Sequence, residues 1–148
     1  MIQNLQTRLN AYSPAVLSVF RIVFGLMFTL NGTVKLFGWP VGPSVAVGDF
    51  PFWWAGLNEL VTGLLIVVGL FIPIAALIAS GEMAVAYFWL HQPNALWPID
   101  PQNGGEFAIL YCFGFLLLVF TGPGAFALDA IRGRARRQPR TDVRSVQP

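Results

Sequence analysis

The chain has 148 residues, of which 55% are apolar and 11% are charged, and its formal net charge is +2. A soluble domain typically carries about 25% charged residues, so this composition is typical of a membrane protein. It also argues against intrinsic disorder, which needs low hydrophobicity and high net charge. The single cysteine excludes an internal disulfide, a four-cysteine zinc site and a CxxC redox pair, and the single histidine excludes a bis-histidine haem within one chain.

Four apolar segments follow one another, and each has about the 20 residues that a helix needs to cross a bilayer. They span residues 13–37, 52–72, 73–91 and 105–121, and proline and glycine residues separate them. Ser13 is a plausible N-cap of the first helix, with Pro14 at its first position. We therefore predict an all-α fold, a four-helix transmembrane bundle over residues 1–131.

A signal peptide is the alternative interpretation of the first segment. Its apolar run is longer than the core of a signal peptide, and Asn31-Gly32 is not a small-x-small cleavage site. A membrane-spanning helix is therefore the favoured interpretation.

The basic residues predict the orientation of the bundle. Seven of the nine lie near the termini and only Lys35 lies near the opposite side: Arg8, Arg132, Arg134, Arg136, Arg137, Arg140 and Arg144 form the terminal set. With four spans, the positive-inside rule places both termini in the cytoplasm and loops 38–51 and 92–104 outside. The tail, residues 132–148, is expected to be a disordered cytoplasmic segment that acts as a topology signal.

The tryptophans all fall at the outward ends of the segments or in the outward loops. They are Trp39, Trp53, Trp54, Trp89 and Trp97. An interfacial aromatic belt explains such a placement, but a belt normally occupies both interfaces. An aromatic-lined outer pocket is therefore the second interpretation.

Two charged residues lie within the predicted spans nearer the inner side. Arg21 is about 10 Å from the inner edge and Glu82 about 13 Å from it, at about 1.5 Å of rise per residue. Because unpaired charges are costly inside a membrane, we predict an Arg21–Glu82 ion pair. Such a pair could be purely structural, fixing the register of two helices.

A second polar cluster is predicted near the outer edge, where each of the four helices offers a polar group. Its members are Asn31, Lys35, Glu59, His91 and Glu106, beneath Trp53, Trp54 and Trp89. Carboxylate, imidazole and ammonium groups could hold a quinone head group or exchange protons with it. A polar network that satisfies itself and water is the alternative, and no metal-binding motif with tight spacing is present.

Several short motifs, taken in order, resemble the DoxX family of small four-helix membrane proteins. They cover about residues 17–129 and comprise Arg21-Ile22-Val23-Phe24-Gly25, Asn31-Gly32-x-x-Lys35, Glu59 with Gly63-Leu64-Leu65 and Gly69, His91-Gln92-Pro93-Asn94, Gly105-Glu106, and Gly122-Pro123-Gly124-x-x-x-Leu128-Asp129. Many family members have histidine where Asn31 stands, which puts in doubt any role that needs an imidazole there.

The resemblance implies a multi-pass plasma-membrane protein linked to redox or sulfur metabolism. Relatives include a membrane subunit of a thiosulfate:quinone oxidoreductase, and a membrane partner that gathers a superoxide dismutase and a thiol sulfurtransferase. Residues at polar positions typical of the family are Arg21, Lys35, Glu59, His91 and Glu106.

The leading functional hypothesis is a membrane component of an oxidoreductase system that binds quinone or anchors soluble or membrane-bound redox enzymes. A small-molecule or ion permease and a structural accessory subunit are the alternatives. We expect the lipid bilayer as a partner, no nucleic acid, and either a homo-oligomer or a larger membrane complex.

Overall fold

A computed structural model describes residues 2–131, and their regular structure is entirely helical. The helices are α1 (Ile2–Phe37), α2 (Phe52–Val68), α3 (Ile72–Ala86) and α4 (Glu106–Thr121), and a π-turn (Tyr87–His91) extends α3. The predicted all-α class with four main helices is confirmed. The predicted cytoplasmic tail, residues 132–148, lies outside the described residues.

The first helix begins at Ile2, so the predicted start near Ser13 is wrong. Pro14 lies inside α1, where its ring nitrogen cannot donate to the preceding turn. Its carbonyl oxygen accepts bonds from the Ser18 hydroxyl at 2.9 Å and from Ala125 N–H at 3.0 Å. The helix continues through the proline, and the hydrogen bond from Ala125 joins the segment after α4 to α1 at this position.

The link between α2 and α3 is three residues long. Gly69 adopts a left-handed conformation with φ of 75°, and the N–H groups of Gly69 and Leu70 both donate to the carbonyl of Leu65. Such a glycine ends a helix at low steric cost, which is why α2 ends at Val68 and not near residue 72. The N–H of Ile72, at the start of α3, donates to the Asp129 carboxylate at 3.2 Å.

Helices α1 and α2 pack closely because small residues face each other. A Cβ added at Gly32 would lie 2.6 Å from the backbone nitrogen of Leu60, and one added at Gly63 would lie 2.5 Å from Thr29 Oγ1. Small residues beside polar ones are typical of close helix packing in membranes.

The apolar core lies between the helices in the half of the bundle that contains the α2–α3 link. Fully buried side chains there include Ile66, Ala76, Ala79, Phe115 and Leu118. The other half, where α1 ends and α2 begins, contains a cavity.

Two helical segments are long and apolar enough to cross a membrane: Gln3–Phe37 and Ile72–His91. Two shorter helices, Phe52–Val68 and Glu106–Thr121, are also apolar. Large apolar side chains such as Val19, Ile78 and Leu117 are exposed on the outer surface of the bundle. A bilayer, not water, is the solvent that suits this surface.

Candidate functional site

A cavity of about 770 Å³ lies between the four helices. Its charged, amide and imidazole side chains come from α1, α2, α3 and the π-turn, and they are Asn31, Lys35, Asn58, Glu59, Glu82 and His91. Aromatic side chains make up much of the remaining wall. The volume is typical of a site that encloses a small organic molecule.

Lys35 and Glu59 form an ion pair on the cavity wall, with Nζ and Oε1 2.5 Å apart. Glu59 is only 2% exposed, whereas the Lys35 side chain is 29% exposed. The pair forms because Gly56 has no side chain: a Cβ there would lie 2.8 Å from Cβ of Lys35. The second carboxylate oxygen of Glu59, Oε2, is buried and has no hydrogen-bond partner among residues 2–131.

Glu82 brings a second carboxylate to the same cavity from α3. Its Oε2 accepts a bond of 2.6 Å from Nδ2 of Asn58, the residue before Glu59. Its Oε1 is buried and, like Glu59 Oε2, has no partner within the described part of the chain. With all three groups ionised, Lys35, Glu59 and Glu82 together carry a formal charge of −1.

His91 is held on the cavity wall by the loop that follows it. Its Nδ1 lies 2.8 Å from the carbonyl oxygen of Asn103. A carbonyl only accepts hydrogen bonds, so Nδ1 carries the proton and Nε2 is the acceptor of the neutral ring. Asn103 is itself fixed by bonds to Ala95 and Gly105, so the loop sets the orientation of the imidazole.

Exposed aromatic residues line part of the cavity. Phe50, Trp54, Trp89 and Phe107 are all more than half exposed and all line the cavity. The rings of Phe50 and Trp89 lie 5.8 Å apart, which joins the 38–51 loop to the π-turn. The buried part of the lining therefore includes a carboxylate, and the exposed part is largely aromatic.

Two residues of the predicted cluster do not line the cavity. Glu106 is exposed at the start of α4. Trp53 packs edge-to-face against Trp54, with ring centroids 5.0 Å apart. Helix α4 contributes Phe107, Ala108 and Tyr111 in their place.

The predicted Arg21–Glu82 ion pair is not formed. Arg21 is fully buried and donates from Nη1 to the carbonyls of Ile66 and Val67, at 2.6 and 3.0 Å, and from Nη2 to the carbonyl of Phe126. The partner of Glu82 is Asn58, which lies about 12 Å along α2 from Ile66, a partner of Arg21. The prediction considered only charged partners, whereas the last carbonyls of a helix also need donors.

Asn58 was missed by the sequence analysis. It is a polar residue within an apolar segment and directly precedes Glu59, so the rule that found Glu59 could also have found it. Aromatic residues such as Phe50, Phe107 and Tyr111 gave no such signal, because the chain has many aromatic residues and only the packing selects these.

Among the described residues, no group of three or more histidine, cysteine, aspartate or glutamate side chains is placed to hold a metal ion. The arrangement can instead hold a small molecule by hydrogen bonds from a polar end and by apolar contacts from aromatic walls. It can also exchange protons through two carboxylates and one imidazole.

Comparison with known proteins gave two matches. The model of a family described as DoxX matches residues 16–92, a range that contains all six charged, amide and imidazole residues of the cavity. An uncharacterized protein of Haemophilus influenzae is 46% identical over 127 residues, which cover 82% of this chain and 93% of that protein. No solved structure matches the chain.

Proposed function

Because the chain belongs to the DoxX family, we propose that it is an integral membrane component of an oxidoreductase system and that its cavity binds a quinone head group. All four helices then cross the plasma membrane, with both termini in the cytoplasm. The excess of arginine near the termini supports this orientation.

The observation that carries the proposal is a buried Glu59 carboxylate, with one unpartnered oxygen, in the lining of a cavity that also has many aromatic residues. A buried acceptor without a partner is unfavourable, so a ligand that pairs with it gains binding free energy. The site therefore favours a ligand with a small polar head and an apolar body.

The exposed aromatic residues at the opening support a ligand that arrives from the lipid. Trp54, Trp89 and Phe107 face the bilayer if the helices span it. Quinones fit this route because a flat polar ring is joined to an apolar tail that can stay between lipid chains. The protein then binds and positions the head group, and an oxidoreductase partner exchanges the electrons.

The geometry gives less support to a permease. The cavity lining does not extend to Ala79, Phe115 or Leu118, which are fully buried between it and the inner end of the bundle. A permeation path would have to open this apolar layer, whereas a binding site needs no such change.

Binding of a short-chain quinone analogue, supplied in both redox forms, tests the proposal. Quenching of tryptophan fluorescence is a suitable readout because Trp54 and Trp89 line the cavity. We expect Glu59→Gln to weaken binding of the preferred form about tenfold, the effect of losing one charged hydrogen bond. Glu106→Gln, which changes a carboxylate outside the cavity, should bind like wild type.

Circular dichroism and a thermal melt in detergent would show that each variant is folded. Absence of binding by either redox form, or equal binding by wild type and Glu59→Gln, would contradict the quinone site. If deletions in the outward loops then abolished association with a redox enzyme while Glu59→Gln did not, the accessory-subunit hypothesis would replace it.

A further inference from the structure

We propose that the cavity selects the hydrogen-bond-donating form of its ligand, so that a quinol binds more tightly than the corresponding quinone. This inference rests on the proposed function and adds to it the redox state of the bound molecule. It follows from which buried atoms of the cavity lack partners.

The two buried side-chain atoms of the cavity that lack partners within residues 2–131 are both carboxylate oxygens, Glu59 Oε2 and Glu82 Oε1. An ionised carboxylate can only accept hydrogen bonds. A buried acceptor without a donor loses its hydration and gains nothing in return. The cavity therefore gains most from a ligand that brings donors.

Each of the two carboxylates has one donor, on its other oxygen. Lys35 donates to Oε1 of Glu59, and Asn58 donates to Oε2 of Glu82. The remaining N–H groups of Lys35 belong to a side chain that is 29% exposed, so they can be satisfied outside the cavity. His91 uses its Nδ1–H on the carbonyl of Asn103.

The formal charge of the cavity side chains also favours a ligand that donates hydrogen bonds. One ammonium faces two carboxylates, and a ligand whose polar atoms are all acceptors adds lone pairs to an excess of negative charge. A quinone ring presents two carbonyl oxygens, which accept only. A quinol ring of the same size presents two hydroxyl groups, and each can donate to one of the unpartnered oxygens. The apolar contacts with Trp54 and Trp89 are the same for both forms.

Three probes with one ring and one short alkyl tail test the inference: the quinol, the quinone, and the dimethyl ether of the quinol. The ether keeps the shape and the apolar surface but cannot donate. We expect purified full-length protein under anaerobic conditions to bind the quinol at least about tenfold more tightly than either of the other probes. Equal or tighter binding of the quinone or of the ether would overturn the inference.

Variants assign the preference to the two carboxylates. A glutamine side chain can donate as well as accept, so Glu59→Gln and Glu82→Gln should each reduce the ratio of quinol to quinone affinity about tenfold. Glu106→Gln should leave that ratio unchanged. Because the readout is a ratio measured on one sample, a loss of folded protein does not imitate the effect.

The two proposals fail in different ways. If no probe binds, the quinone site itself is wrong and the inference falls with it. If probes bind with a ratio near one, or if Glu59→Gln and Glu82→Gln weaken the binding of quinol and quinone equally and so keep the wild-type ratio, the site stands and the selection of the donating form is wrong.

Discussion

Arg21 shows how backbone carbonyls can hold a buried charge. It is fully buried, and its guanidinium donates to two carbonyls at the end of α2 and to one in the segment after α4. Those carbonyls have few other donors, because helix ends leave their last acceptors unpaired. One side chain thereby ties α1, α2 and the segment after α4 together.

Replacement of Arg21 should therefore destabilise the fold. Arg21→Met removes three hydrogen bonds from a buried charged donor to backbone carbonyls, so we expect a loss of about 3 kcal/mol or more in unfolding free energy. Denaturant titration in detergent, followed by circular dichroism, measures this. Arg8→Met, an exposed arginine on the same helix, should change stability by less than about 0.5 kcal/mol.

A double-mutant cycle separates this arrangement from the ion pair predicted from the sequence. Arg21 and Glu82 share no hydrogen-bond partner, so the effects of Arg21→Met and Glu82→Gln should add within about 0.5 kcal/mol. A coupling energy clearly above that value would mean that the two side chains interact after all.

At this scale, the sequence indicated that the Arg21 and Glu59 side chains would lie inside the bundle, but it did not indicate the partners of Arg21. The sequence grouped Glu59 with Lys35 because of their similar depths on adjacent helices, and the structure joins the two side chains in an ion pair. The predicted pairing of Arg21 with Glu82 was wrong. Every residue has a backbone carbonyl, so the sequence does not indicate which carbonyls need a donor. Glu106 was included on depth alone, although the start of α4 turns it away from the cavity.

At the scale of the helices, glycine determines how closely α1 approaches α2. The nearest atoms to a Cβ at Gly32 are backbone atoms of Leu60 and Gly56, at 2.6 and 2.7 Å, and a backbone cannot move aside as a side chain can. The close approach also places Lys35 within reach of Glu59. Helix packing and the geometry of the ion pair therefore depend on the same glycines.

Adding one methyl group at Gly32 should separate the two helices. We expect Gly32→Ala to cost about 1–3 kcal/mol of stability, the usual effect of overpacking, measured by the midpoint of thermal unfolding in detergent. Gly81→Ala is the matched control, because a Cβ there meets nothing within 4 Å. It should be neutral or stabilise the helix by up to about 1 kcal/mol.

Equal behaviour of the two glycine variants would contradict the close contact between α1 and α2. A loss of stability for Gly81→Ala alone would instead indicate that its face of α3 is covered by another molecule.

Helix boundaries illustrate what a single sequence can and cannot predict. The segments were found because apolar runs of the right length stand out, but Ser13-Pro14 was interpreted as a helix start although Pro14 lies within α1. The π-turn was not predicted, since nothing in the composition of residues 87–91 distinguishes it from α-helix. Tertiary contacts decide both features.

At the scale of the whole molecule, the proposed orientation places the opening of the cavity in the outer half of the bilayer. Loop 38–51, which contributes Phe50 to the cavity, then lies outside, and the start of α1 lies in the cytoplasm. Both sites can be probed on a cysteine-free background, because Cys112 is the single cysteine of the chain.

Labelling of introduced cysteines with a membrane-impermeant maleimide measures the orientation. On a Cys112→Ser background, Val47→Cys should react in right-side-out vesicles, because Val47 is 87% exposed in the outward loop. Asn4→Cys should react only after the membrane is permeabilised. The opposite pattern would show that the bundle is inserted the other way round.

The π-turn has a consequence for the rotation of the helix that contains it. The N–H of Gln92 bonds to the carbonyl of Tyr87, five residues back, so the turn holds one residue more than α-helix would. In uninterrupted α-helix, His91 would point about 180° away from Glu82, and the extra residue reduces this angle to about 80°. The geometry of the cavity therefore depends on the number of residues in this segment as well as on their side chains. Deletion of one residue at the turn would rotate the imidazole away from the carboxylates, although each of these groups would be chemically unchanged.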